Sequence, residues 1–177
     1  MSYNSLPTEA VTEVFLQPGD FYFGKGHTRV KTILGSCVAI TLWHPRAKIG
    51  GMCHYMLPKR SEHSFCAQLD GRYADEALQL FMLELKKTAS HPADYEVKMF
   101  GGGNQFPTHC QTSNLSIPDN NIRAGKKLLR LHGFTTKAVH LGSTGHRSIV
   151  FELWNGNVWL KPIQFGATIA EQKRGIL

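Results

Sequence analysis

No apolar run in these 177 residues approaches the roughly 18 that a membrane-spanning helix needs, and no basic-then-apolar segment opens the chain. The reading is an unexported, soluble protein with no membrane insertion. Cysteine is scarce too: Cys37, Cys53, Cys66 and Cys110 lie far apart and form no close C-x-x-C pair, which argues against a zinc ribbon or a thioredoxin-like site. A chain of this length buries about 70% of its unfolded surface and folds without disulfides, so a reducing cytoplasm is the simpler compartment. There is no repeat and no polar low-complexity run, and one domain over 1–177 is expected.

Acidic residues are scarce in the last third. Residues 1–120 carry 11 Lys/Arg and 11 Asp/Glu, whereas 121–177 carry 9 against 2, which accounts for the whole net charge of +7. Such a face steers acidic partners, or is simply a solvated surface. Nucleic acid is not expected: Trp154 and Trp159 accompany the basic residues, but no recognised binding motif does. Gly101-Gly102-Gly103 is followed by no Gly-Lys-Ser/Thr, so a nucleotide site and a cofactor are not expected either. Cys53, His54, His63 and Cys66 fall within fourteen residues. Neighbours on a strand point to opposite faces, so Cys53 and His54 would not converge on one ion, and no metal is expected.

What is present is strand-like early and helical later. Residues 1–20 read as an arm without periodicity. Arg29–Leu34, Val38–Trp43 and Ile49–Met56 are rich in β-branched and apolar residues and read as three strands of one compact sheet unit. Arg72–Thr88 repeats Ala74, Ala77, Leu78, Phe81 and Leu85 at helical spacing, with acids in its first turn and lysines in its last. A strand over Glu96–Phe100, a polar loop over 104–118 and a second helix opening after Asn120 and stopping at Gly133 follow. Strands at Lys137–Leu141, Ser148–Leu153 and Val158–Leu160 close the pattern, the last two joined through Asn155-Gly156. About seven strands and two main helices predict a layered α/β domain with much antiparallel pairing.

Cys37 is the first candidate for chemistry. Gly35 and Ser36 precede it at a strand boundary and leave its backbone approachable. A thiol with a pKa near 8.5 needs a base to act as a nucleophile at neutral pH. Pairing of Val38–Trp43 with Ile49–Met56 as a hairpin would bring His54 beside it. Spacing alone leaves the alternative open, a buried structural cysteine and an unrelated strand histidine.

The runs Leu34-Gly35-Ser36-Cys37-Val38-Ala39 and Gly51-Met52-Cys53-His54-Tyr55-Met56-Leu57-Pro58 resemble the signature of the CheD family, the chemoreceptor glutamine deamidases of bacterial and archaeal chemotaxis. Gly71-Arg72-Tyr73-Ala74-Asp75, Lys98-Met99-Phe100-Gly101-Gly102, Asn121-Ile122 and Gly145-His146-Arg147 continue the likeness, which covers about residues 20–163 between an arm (1–19) and a tail (164–177). The resemblance implies an α/β/β layered sandwich of mixed sheets and a thiol hydrolase acting on receptor glutamines, with glutamyl methyl esters as a second substrate class. It implies Cys37 as nucleophile, His54 as base and an upstream threonine completing the site, with Gly35 and Ser36 supporting the substrate or oxyanion. The family's threonine usually stands six residues before the cysteine; Lys31 holds that place here, and Thr32, five before, is the candidate. Methyl-accepting chemoreceptors and a CheC-type phosphatase are the partners it implies. A regulatory binding protein with little catalysis is the competing reading.

Overall fold

The computed structural model describes residues 10–61, 68–104 and 116–163. Strands β1 (Thr12–Phe15), β2 (Phe21–Lys25), β3 (Thr28–Leu34), β4 (Val38–His44) and β5 (Ile49–Tyr55) lead to helix α1 (Ala74–Lys87). A 3₁₀ turn at Pro92–Asp94, β6 (Glu96–Gly101), α2 (Ile117–Leu131), β7 (Thr136–Leu141), β8 (His146–Glu152) and β9 (Val158–Ile163) complete the order. The strands form two mixed sheets, β1-β3-β8-β9 and β2-β5-β4-β6-β7. β1 runs parallel to β3 and β7 parallel to β6; the other pairs are antiparallel.

Alternation along β4 divides the core. Val38, Ile40 and Leu42 pack with Cys53, Tyr55, Val97 and Met99 beneath the apolar faces of α1 and α2. Ala39 and Trp43 turn the other way, with Met52 and Phe100, onto Val30, Leu34, Ile149 and Phe151 of the second sheet. All seven β4 residues are buried, as a strand covered on both faces requires. The layers are therefore helices, five-stranded sheet and four-stranded sheet, the α/β/β sandwich expected.

α1 buries the five predicted residues, Ala74, Ala77, Leu78, Phe81 and Leu85. Three local expectations need correcting. First, the arm 1–20 contains β1, and a strand that periodicity did not reveal, β2, follows it; the described residues hold nine strands rather than seven. β1 is a four-residue edge strand, and β2 carries Phe21, Tyr22 and Phe23 in succession, so neither shows the alternation that betrays a half-buried strand. Second, β3 belongs to a different sheet from β4 and β5, so the three do not form one unit. Third, α2 begins at Ile117, not after Asn120. Pro118 lies in its first turn, where a helix has no use for the missing N–H, and the Ser116 hydroxyl accepts from the Asp119 N–H as a cap. The β8–β9 hairpin forms as expected, but across the longer stretch Leu153–Asn157, with Gly156 at φ +75°.

Candidate active site

The chain passes from one sheet to the other at Gly35-Ser36-Cys37, between the end of β3 and the start of β4. Cys37 is half-buried and packs against the core between the sheets, on the same side as Ala39. The β4–β5 register sets Ala39 opposite His54. Cys37 and His54 thus project from one face of the hairpin, as diagonal neighbours. Cys53, on the opposite face of β5, lies in the helix-side core, where burial pushes its thiol up to about 12. That separation is what alternation demands of adjacent strand residues. Among the described residues no group of three or more His, Cys, Asp or Glu is placed to hold a metal ion. His63, Cys66, His109 and Cys110 lie outside the described residues.

Thr32 reaches His54 from the other sheet. Its hydroxyl lies 2.8 Å from His54 Nδ1 and donates to the Leu16 carbonyl, also at 2.8 Å. A hydroxyl has one proton, and with that proton on Leu16 the oxygen accepts from Nδ1–H. The neutral ring therefore carries its lone pair on Nε2, which is buried and has no partner. A buried polar atom left unpaired calls for an explanation, and this one is the ring nitrogen that can take up a proton. Burial pulls the His54 pKa down to about 4, against the Leu16 carbonyl and the Asp20 carboxylate, which favour its cation. Lys31, in the family's usual threonine position, points the other way and pairs with Glu13 on the outer face. The strand's alternation makes Thr32, not Lys31, the residue facing the imidazole.

Burial also raises the Cys37 thiol, opposed by hydrogen bonds from Ser36 and from its own backbone. Thiol and imidazole both rest neutral, so the pair is not a preformed ion pair. The glycine triplet answers to close approach: a Cβ on Gly101 would sit 2.2 Å from the Cys37 carbonyl oxygen. Gly102 N–H donates to that oxygen and Gly103 N–H to the Gly35 carbonyl, both at 2.8 Å. Those two amides hold the backbone around Cys37, and neither is spare for another acceptor. Arg147 of the Gly-His-Arg motif is buried and donates to the carbonyls of His140 and Gly142, while Gly142 N–H donates to the Gly101 carbonyl. The motif thus props the glycine triplet from behind.

Two supports escaped the sequence. The Leu16 carbonyl belongs to what reads as an arm; the Pro18-Gly19-Asp20 turn between two apolar stretches was the available signal. Asn121, fully buried on α2, donates through Nδ2 to the Met56 carbonyl at 2.9 Å and the Ser36 carbonyl at 3.3 Å. It ties the residue before Cys37 to the strand end beyond His54. Both partners are acceptors, which forces the amide orientation and leaves Oδ1 unpaired. Asn121→Ala is expected to lower the unfolding free energy by about 2 kcal/mol, the order of a buried hydrogen-bonding group left without its partner. Urea titration checks this, and an unchanged midpoint would show that the clamp contributes nothing.

A family model described as CheD chemotactic sensory transduction matches residues 56–162. The probable chemoreceptor glutamine deamidase CheD of Pseudomonas savastanoi pv. phaseolicola is 46% identical over 166 residues, 92% of this chain and 93% of that protein. Its namesake in Pseudomonas fluorescens is 49% identical over 152 residues, covering 85% and 84% respectively. A more divergent relative, the probable chemoreceptor glutamine deamidase CheD 1 of Leptospira interrogans, retains 39% identity over 163 residues, 88% of this chain and 96% of that one. Among solved structures, Bacillus licheniformis hypothetical protein YfiH aligns at a TM-score of 0.44 and 12% identity, covering 71% of this chain and 50% of that one. With more than half its length inside the family model and near-complete alignments to relatives at 39–49% identity, the chain belongs to the CheD family.

Proposed function

We propose that this protein deamidates specific glutamine side chains of methyl-accepting chemoreceptors to glutamate, in the cytoplasm, with Cys37 as nucleophile, His54 as general base and acid, and Thr32 orienting the imidazole. The observation that carries the reading is the Thr32–His54 hydrogen bond, which puts the lone pair of the neutral ring on Nε2, in a side chain that projects from the same hairpin face as Cys37. The relatives' names supply the substrate class.

Because thiol and imidazole rest neutral, proton transfer accompanies attack. As Cys37 Sγ bonds to the carboxamide carbon, its proton passes to His54 Nε2 and the carbonyl oxygen becomes an oxyanion. The backbone N–H of Cys37, preceded by Gly35 and Ser36, is the donor on the residue that carries Sγ and is assigned to that oxygen. Collapse breaks the C–N bond; the nitrogen takes the proton from Nε2 and leaves as ammonia, giving a thioester. Water then attacks the thioester carbon while Nε2 receives its proton. The C–S bond breaks, the proton returns to Sγ, and the product is glutamate. A glutamyl methyl ester would pass through the same steps with methanol leaving.

Mass spectrometry of a chemoreceptor cytoplasmic fragment incubated with the wild-type protein tests the proposal. Amide-to-acid conversion at defined glutamines is expected. If no receptor of the source organism is converted, the deamidase reading falls, and regulatory binding to the receptor array or to a CheC-type phosphatase takes its place.

A further inference from the structure

Four of the nine cations of the last third share one address. Arg123, Lys126, Lys127 and Arg130 are all exposed and lie at i, i+3, i+4 and i+7 on α2, one straight stripe of about two turns. The opposite side of the helix is buried, through Asn121, Gly125 and Leu129.

Helix physics does not account for the stripe. Every i,i+3 and i,i+4 pair within it sets cation against cation, which weakens a helix, and the helix dipole favours only the cation in the last turn, Arg130. None of the four makes an ion pair with a described residue. On the neighbouring α1, Glu76 is engaged by Arg60 and Glu84 by Lys87, and Asp75 accepts from the Glu76 N–H. α1 carries three acids and two lysines, whereas α2 carries one acid and four cations.

We infer that this stripe docks an acidic segment of the chemoreceptor beside the glutamine to be converted. The inference rests on the deamidase reading and adds the surface that recognises the substrate. Position supports it. Asn121 touches the Ser36 carbonyl and Ile122 packs against Gly102, so the inner face of the helix whose outer face bears the stripe rests on the segment that carries Cys37. Its charge suits a partner that gains a carboxylate with each conversion. Its composition argues against other anions. α2 has no aromatic residue on which a base could stack, and of its apolar side chains Ile122, Leu128 and Leu129 are turned into the protein, which leaves Ile117 and Leu131, one at each end, and no continuous apolar face to offer to lipid.

The test compares the wild type with a variant carrying Arg123→Gln, Lys126→Gln, Lys127→Gln and Arg130→Gln, and with the charge-preserving pair Lys126→Arg and Lys127→Arg. On a receptor cytoplasmic fragment the neutral variant is expected to raise KM at least about tenfold at low salt with kcat unchanged, and to lose most of the wild type's salt dependence. The arginine pair should behave as wild type. Conversion of a short uncharged glutamine peptide should be equal in all three. Fluorescence anisotropy of a labelled receptor fragment binding the full chain bearing Cys37→Ala, with and without the four glutamines, reads docking without turnover. Failure of the deamidase reading would appear as no conversion by the wild type with the binding difference intact. Failure of the docking inference would appear as equal affinity with and without the stripe, no binding at all, or a parallel loss on the uncharged peptide. Stripe-dependent capture of phosphatidylserine vesicles, with receptor affinity unchanged, would equally overturn it in favour of a membrane surface.

Discussion

Cys37→Ala is expected to abolish amide-to-acid conversion, and His54→Ala to lower kcat by about 10²–10⁴, the usual contribution of a positioned base. Thr32→Val should cost less, about 5–150-fold, because it removes one buried hydrogen bond of about 1–3 kcal/mol while keeping the shape of the side chain. The order follows from what each change removes. Without Sγ there is no thioester and hence no route. Without the imidazole a neutral thiol must lose its proton to solvent, from a site where burial already holds that proton more firmly. Without the Thr32 hydroxyl the ring persists but Nδ1 loses its acceptor, so the population with the lone pair on Nε2 falls. Thr32→Ser keeps the hydroxyl and should restore most of the rate, which separates orientation from packing. Steady-state assays on a receptor fragment decide it. A Thr32→Val enzyme with wild-type kcat would remove threonine from the site, and a Cys37→Ala protein that still converts glutamine would remove the mechanism.

The second large effect is on stability in acid. His54 is held neutral with a pKa of about 4 in the folded chain, against about 6.5 for an unperturbed histidine in the unfolded one. Between those values the unfolded state binds a proton that the folded state refuses. The stabilisation tied to the neutral ring is therefore complete above about pH 6.5 and is lost as pH falls towards 4, by about 3 kcal/mol in all. Urea unfolding over that range should show the loss in the wild type and a flatter profile in His54→Gln. Parallel profiles would show that burial does not depress this imidazole. The same depression places the acid limb of kcat/KM near pH 4, since the base works only when unprotonated.

How much of this was legible depended on how local the cause was. β3 and α1 announce themselves because each presents a periodic face to one core, and β4 and β5 because each is an apolar run buried on both faces. β1 and the start of α2 do not, the first being short and at an edge, the second opening on a proline that reads as a breaker but is harmless in a first turn. The pairing of Cys37 with His54 on one hairpin face was inferable because His44-Pro45 marks the turn and the register follows. The Thr32–His54 bond was not derivable from spacing. It crosses from one sheet to the other, and nothing local says that the chain changes sheets at Gly35-Ser36-Cys37. Asn121 was invisible as a clamp for the same reason: its partners lie 85 and 65 residues away.

That change of sheets has a further consequence. His54 rides on the five-stranded sheet and its orienting hydroxyl on the four-stranded one, so the hydrogen bond between them acts as a rivet through the sandwich. Sliding of one layer over the other by the width of a single atom would break it while leaving every strand ladder and both helices whole. On the proposed mechanism the chemistry of this fold is in that sense a strain gauge: it reports the alignment of two layers, and it would slow at a disturbance too small to count as unfolding.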